Sequence, residues 1–428
     1  MILGRNRQKY GMINKSVMNP KKTALIIISA FLLIIGSTII ASLFIRGYRP
    51  DLSRRRLNLL PTGLLVANSK PAGASVYIDG KLVTATNDTL NLPPGEYQIK
   101  IEKDGYLTWE KKLTIKKEVV VQTNVSLFRA TPDLKPLTNT GALNPTLSPN
   151  GTKIVYAVTQ ASSKKKNGIW LLDLSSTLPL SRANNRQLTG PIGHIDWSRA
   201  EFIWSPDQRQ ILLIARNEKE EIESAYLIAA DRFTPNEQLG DVSLQLELIL
   251  TEWRQETEEE LKLKLRKLPE PMLKIATSSA RMITFSPDEE RFFYLATASA
   301  QIPANLVPHP PARSTQPEER KLQPGHFYVY DLKEDTNFHL GTKEELGLNQ
   351  EKITHPTIYW LDNYHLVFID QEKSEIKVIE ADATNKQTLY AGPFENSYVF
   401  PSPSGRSLII LTSLHPDSPG NLYQVKIR

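Results

Sequence analysis

At 428 residues the chain is longer than one core ordinarily spans, and 40% hydrophobic with 23% charged residues is a globular composition that excludes a mostly disordered chain. Cysteine is absent, which removes disulfides, thiolate catalysis and cysteine-ligated metal sites. The formal charge of +6 belongs to the N-terminus: the first 56 residues hold eleven Lys and Arg against Asp51 alone, a net of +10, so the remainder carries −4. Basic residues flanking an apolar run report on membrane topology, whereas nucleic-acid binding needs a basic face on a folded domain, so no nucleic acid is expected as a partner.

From Thr23 to Ile45 no residue is charged, and 23 residues of helix cover roughly the 30 Å hydrocarbon core. Only Ser29, Ser37, Thr38 and Ser42 interrupt the run, whereas a buried core helix keeps a polar stripe. The rival is a cleaved signal peptide, but the run exceeds a usual h-region and no A-x-A site follows. The expectation is an uncleaved signal-anchor in contact with membrane lipid through residues 23–45. Six Lys/Arg precede the segment and five follow it, so charge bias is nearly silent. A short tail is retained more easily than a long domain, which puts residues 1–22 in the cytoplasm and the C-terminal part outside the cell membrane.

After a linker at 46–61, apolar and polar residues alternate through Leu65 and Ala67, then Val76 and Ile78, with turns at Pro71–Gly73 and Asp79–Gly80. Asp79–Gly80 supplies the positive φ of a tight hairpin. Leu92-Pro93-Pro94-Gly95 opens a strand through Tyr97, Ile99 and Ile101. Lys103-Asp104-Gly105-Tyr106 turns again, and Leu113, Ile115, Val119, Val121 and Val125 add two more strands. Residues 62–128 read as a small antiparallel β-sandwich. The run Pro71-Ala72-Gly73-Ala74-Ser75-Val76-Tyr77-Ile78-Asp79-Gly80, with Leu92-Pro93-Pro94-Gly95-Glu96-Tyr97 and Lys103-Asp104-Gly105-Tyr106, resembles the PEGA domain. It departs at Ala72, where the family motif has Glu. The resemblance implies a surface-protein module without a catalytic centre.

Beyond residue 130 one pattern recurs: an apolar or aromatic residue, a Ser-Pro turn, an apolar strand, then a second strand ending near Asp. It occurs at Leu147-Ser148-Pro149-Asn150-Gly151, Trp204-Ser205-Pro206-Asp207 and Phe285-Ser286-Pro287-Asp288, and more weakly at Trp360-Leu361-Asp362-Asn363 and Pro401-Ser402-Pro403-Ser404-Gly405. A strand–turn–strand unit cannot bury both faces alone, and stacking such units gives a β-propeller. Residues 131–428 resemble TolB-type, WD40-like blades. The expected fold class is therefore all-β: an N-terminal transmembrane helix, a PEGA-like sandwich and a propeller of about five or six blades, the sixth hidden near His194-Ile195-Asp196-Trp197.

Two insertions account for the wide gaps, at about 232–280 and 301–326. In the first, Trp253, Leu261, Leu265 and Leu268 recur at helical spacing, with Glu258/Lys262 and Glu260/Lys264 as i,i+4 pairs. The second carries six prolines and is expected as a long, stiff, exposed loop. Within it Leu306, Val307, His309, Pro310 and Pro311 are the candidate partner contacts. The alternative is a passive cover over a blade edge.

No G-x-S-x-G elbow, P-loop, G-x-G-x-x-G or H-E-x-x-H occurs. The seven histidines, His194, His309, His326, His339, His355, His365 and His415, form no close pair in sequence, so metal ligation requires spatial convergence. Glu258–Glu260 reads as a solvated helix face, and Asp173, Asp231, Asp331 and Asp382 as turn acceptors ending equivalent strands. No catalytic, cofactor or metal residue is assigned. The expected function is an envelope binding or scaffold protein, not an enzyme, holding an unidentified envelope protein or polysaccharide through its propeller. The alternative is a propeller-based lyase or glycosidase acting on an envelope polysaccharide.

Overall fold

The computed structural model describes residues 20–45, 49–51, 58–175, 184–193, 195–197, 199–348, 358–395, 398–415 and 418–428. The expected tail up to residue 19, much of the linker 46–61, and His194 and His355 lie outside the described residues. Helix α1, Pro20–Ile45, is unbroken, and Ala24–Ser42 is apolar enough to cross a membrane. Three of its hydroxyls are satisfied internally: Ser29 Oγ donates to Ile26 O at 2.9 Å, and Ser37 Oγ and Thr38 Oγ1 donate to Ile34 O at 2.9 and 2.7 Å. A helix that closes its own hydrogen bonds is what hydrocarbon tolerates, and α1 fits a membrane anchor or a signal sequence.

Contacts divide the chain into two compact units. The first holds the described residues up to Leu65 with Thr89–Gly95 and Ile115–Val121; the second holds Val66–Asp88, Glu96–Thr114 and Gln122–Arg428. Strands Gly63–Ala67, Asp88–Leu92 and Val120–Gln122 form a three-stranded sheet that lies mainly in the first unit. Gly63 is required there, because a Cβ would stand 2.3 Å from Lys116 O.

Mainly in the second unit, Ser75–Ile78, Lys81–Ala85, Gly95–Glu102 and Trp109–Ile115 make a four-stranded sheet, with Lys81–Ala85 and Trp109–Ile115 at its edges. The Asp79–Gly80 hairpin has the expected positive φ at both residues, 49° and 79°. Val76, Ile78, Ile99, Ile101 and Leu113, all read as inward-facing, are buried.

Among the described residues, five propeller sheets follow. Blade 1 comprises Leu143–Leu147, Lys153–Val158, Gly168–Asp173 and Asn185–Thr189, and blade 2 has three strands, Glu201–Trp204, Gln210–Arg216 and Ile222–Ala229. Blade 3 comprises Ala280–Phe285, Arg291–Ala296, His326–Asp331 and Thr336–Thr342; blade 4, Ile358–Trp360, His365–Asp370, Glu375–Glu380 and Gln387–Tyr390. Blade 5 takes Val399–Pro401, Ser407–Thr412 and Asn421–Lys426, and its outer strand is Asp133–Pro136 from the start of the propeller. No strand forms at Ile195–Trp197; Ile195 instead packs into the core between blades 1 and 2.

The recurring turn explains the repeat. Ser148, Ser205, Ser286 and Ser402 each donate a backbone N–H across the turn, to Lys153, Gln210, Arg291 and Ser407 O at 2.8–3.0 Å. The side chains of Ser205 and Ser286 bond Asp207 and Asp288 at 2.7 and 2.6 Å. The turn demands a left-handed residue, filled by Gly151 and Gly405 in two blades but by Gln208 and Glu289 in the others.

Apolar cores lie between successive blades, 1 with 2, 3 with 4, 4 with 5 and 5 with 1. The indoles of Trp204 and Trp360 reach the preceding blades, donating to Thr146 O at 3.1 Å and Thr284 O at 3.0 Å. The first insertion forms helices α2, Leu246–Leu265, and α3, Glu270–Ser278. Leu246, Ile249 and Trp253 of α2 pack on blade 2, while Leu261, Leu265 and α3 pack on blade 3. Residues 254–260 between these anchors are exposed, as the acidic run predicted. Lys264 pairs with Glu289 of blade 3 at 3.3 Å.

Candidate functional site

The second insertion leaves blade 3 through Ala300–Gln301 and returns through Lys321–Leu322, which pair antiparallel as its base. Ile302 and Leu322 are fully buried, and Leu306 packs on the blade 3 core. The expectation of an exposed loop therefore gives way to a strap, because its apolar residues and backbone find partners on the blade. Glu319 N donates to Asn337 O at 2.8 Å, and Asn337 Nδ2 donates to Glu319 O at 2.6 Å, covering the outer strand of blade 3.

Asp335, with no exposed surface, is the anchor. Its carboxylate accepts the Leu306 backbone N–H at 2.8 Å and the Tyr330 hydroxyl at 2.8 Å, and pairs with Arg320 at 3.3 Å. Burial, then the bond to Asp335, pushes the Tyr330 phenol well up. His309, the only titratable group among the candidate contacts, lies 3.1 Å from Glu334 O through Nδ1 and 2.9 Å from Asn305 Oδ1 through Nε2. Burial raises the Glu334 carboxyl, against the opposing bond from Ser314 N at 2.7 Å. Of the candidate contacts, Leu306, Val307, His309 and Pro310 are half-buried and Pro311 is exposed.

The strap also reaches the edge strand Trp109–Ile115. Thr114 N donates to Thr315 Oγ1 at 3.3 Å, and Gln316 Nε2 donates to Lys112 O at 2.8 Å. Blade 4 continues the row: Glu110 N donates to Asn385 Oδ1 at 3.0 Å, and Gln387 Nε2 donates to Thr108 O. Thr108, Glu110, Lys112 and Thr114 alternate, so their backbone groups face one edge. Four propeller side chains thus occupy the positions a neighbouring strand would take.

The same strand inserts Lys111 between two carboxylates, Glu380 and Asp382, the latter at 2.7 Å, and Trp109 Nε1 donates to Glu380 at 2.5 Å. Burial would lower the Lys111 pKa, but Glu380 and Asp382 together raise it. Phe128 belongs to the core between blades 4 and 5 and meets the His365 ring edge-on at 5.3 Å. Beside it, Asp362 accepts His365 Nδ1–H at 2.8 Å and Arg428 Nη2–H at 2.6 Å. Burial alone would raise the Asp362 carboxyl; the His365 bond, then the charges of His365 and Arg428, hold it well below the usual range.

Most of these contacts link residues far apart in sequence and carried no local signal. Asp382 had one, as a turn acceptor, a role it keeps with Thr384 at 2.6 Å while also receiving Lys111. Asp173 and Asp331 likewise accept backbone N–H groups, from Ser175 and from Lys333 and Glu334.

Residues 62–131 match the family model of the PEGA domain. No curated protein matches the chain. Solved structures similar to it include TolB from Acinetobacter baumannii, 12% identical over 86% of this chain and 65% of that one, with a TM-score of 0.20. The β-propeller domain of the Trilobed protease from Pyrococcus furiosus is 11% identical over 86% and 95%, with a TM-score of 0.20. An auxiliary nutrient binding protein from Bacteroides thetaiotaomicron is 9% identical over 83% and 90%, with a TM-score of 0.25. The propeller assignment itself rests on the strand pairing described above.

Proposed function

We propose that this chain, a PEGA domain joined to a β-propeller behind an apolar N-terminal helix, is a membrane-anchored, extracytoplasmic binding and scaffold protein of the cell envelope without catalytic activity of its own. The observation that carries the reading is the filled edge of Trp109–Ile115. Side chains from blade 4 and the strap fix this strand on the propeller, as a rigid presenting surface requires. Groups that a lyase or glycosidase would draw on are committed internally: Glu380 and Asp382 to Lys111, and Asp362 to His365 and Arg428.

The partner is an envelope protein or polysaccharide, met on the propeller at the outer side of the strap, where Val307, Pro310 and Pro311 keep exposed surface and Leu306 and His309 hold them in place. The test is a pull-down from envelope extracts with the detergent-solubilised full chain and its Val307→Asp/Pro311→Asp variant. Loss of partners at unchanged thermal stability supports the strap as contact; equal recovery moves the contact elsewhere. Release of sugar fragments from envelope polysaccharide by the purified protein would overturn the non-catalytic reading. Protease added to intact cells should remove the β-domains and leave a short anchored stub, and full protection would reverse the orientation.

A further inference from the structure

The strands His326–Asp331 and Thr336–Thr342 of blade 3 bring together two histidines that sequence spacing left apart. Tyr328 is paired with His339 and His326 with Thr342, with an irregularity between Phe327 and Tyr328. His326 Nδ1 consequently lies 2.8 Å from His339 Nε2, with the rings stacked at 4.8 Å and 28°. The Tyr328 ring lies 5.3 Å from His339 and 6.4 Å from His326, limiting how far either can swing. On the far side of His339, Glu319 Oε2 stands 3.6 Å from Nδ1.

We propose that His326 and His339 form a two-imidazole site for a divalent transition-metal ion such as Zn²⁺, Cu²⁺ or Ni²⁺, with Glu319 as the carboxylate that orients one ring. The Glu319 charge favours a proton on His339 Nδ1, which leaves the Nε2 lone pair facing His326. Without an ion, that lone pair accepts His326 Nδ1–H. Loading moves the His326 proton from Nδ1 to Nε2, so both facing nitrogens become donors to the ion, and neither ring changes charge or oxidation state. With metal–nitrogen bonds of about 2.0–2.1 Å and tetrahedral angles, the two nitrogens need to stand about 3.3 Å apart, so the rings part by about half an ångström and tilt until both lone pairs converge on the ion.

His339 and Glu319 keep 28% and 32% of their side-chain surface exposed, which leaves room for water to complete the coordination. No group of three His, Asp or Glu able to hold a metal occurs among the described residues, so the chain supplies two ligands and both must be present. The position matters because His326 is the first strand residue after the strap and Glu319 is part of it. An ion on this pair pins the strap's return to the outer strand of blade 3, so loading stabilises the strap independently of any partner.

The test is calorimetric titration of the detergent-solubilised full chain with Zn²⁺ and Cu²⁺, with electron paramagnetic resonance of the Cu²⁺ form to count nitrogen donors. The expected result is one ion per chain and two nitrogens on Cu²⁺. His326→Gln and His339→Gln each weaken binding at least tenfold and abolish the metal-induced rise in thermal midpoint. Glu319→Gln weakens binding about tenfold and leaves the two-nitrogen signal. Wild-type affinity no higher than that of the double His→Gln variant, or a single-nitrogen Cu²⁺ spectrum, overturns the proposal. The wild-type spectrum decides even where a variant fails to fold.

Discussion

Lys111 is an ammonium taken out of water and returned its solvation by two carboxylates, with side-chain exposures of 10% for Lys111 and 14% and 16% for Glu380 and Asp382. Removing the cation leaves both anions buried without a counter-charge, the costly way to break such a cluster. Lys111→Met is expected to destabilise by about 3 kcal/mol in chemical denaturation, and Glu380→Gln combined with it should recover part of that loss. Asp362 sets a pH dependence. Its folded pKa is depressed, so its contribution is complete above the ordinary carboxylate value of about 3.9 and is lost as pH falls below it. Urea midpoints should therefore fall more steeply between pH 5 and pH 3 in the wild type than in Asp362→Asn. Gln208, at φ 61° in a turn that uses glycine in blades 1 and 5, should gain about 0.5 kcal/mol on substitution by Gly. That turn was legible residue by residue. The partners of Lys111 were not, because pairs separated by most of the propeller leave no periodic trace; Asp362 has one partner, His365, three residues away, but its second, Arg428, stands in another blade.

At the scale of elements, the edge strand Trp109–Ile115 meets the general hazard of a sheet edge by an uncommon route: side-chain amides and a hydroxyl replace a neighbouring strand. Asn385→Ala with Gln387→Ala should cost about 1 kcal/mol for each backbone group left unpaired. Replacing 301–322 by a short Gly/Ser bridge removes the fully buried Ile302 and Leu322 as well as the strap's two caps, and should cost at least about 3 kcal/mol, read as a lower thermal midpoint. The prolines marked an insertion between two strands of one blade, but they carry no information about which surface it lies on. Ile302, Leu306 and Leu322, which pack on the blade 3 core, follow no repeat period, so their burial could not be read in advance. The helix carrying Trp253, Leu261 and Leu265 was legible because its apolar positions repeat, although it begins earlier, at Leu246, where Leu244, Leu246 and Leu248 alternate with polar residues, and it ends at Leu265, short of Leu268. Blade 4 was read only weakly because its turn lacks the Ser-Pro pair; there Asp362 supplies the acceptor, bonding Tyr364 N and His365 N at 2.8 and 2.9 Å.

For the whole molecule, the apolar helix α1 and the β-rich remainder occupy different parts of the chain. Deleting residues 1–48 is expected to give a soluble protein whose circular dichroism is dominated by strand, since the described helix beyond α1 is confined to α2, α3 and short 3₁₀ turns. A mainly helical spectrum, or persistent sedimentation with membranes, would contradict this. The order helix, sandwich, propeller was legible because each part writes its own period: none in the apolar helix, two in the strands, and a longer repeat in the blades. The pairing of Asp133–Pro136 with Asn421–Lys426 has a consequence in time rather than in space. A chain made from its N-terminus presents the outer strand of the last blade first and its partner last, so that strand waits unpaired through the synthesis of every intervening blade. Such a late, non-local step folds slowly and leaves sheet edges open to neighbouring chains meanwhile. A ribosome stalled before Asn421 would hold a propeller unable to complete this sheet, making the strand Asn421–Lys426 the checkpoint between a nascent propeller that still needs a chaperone and one that no longer does.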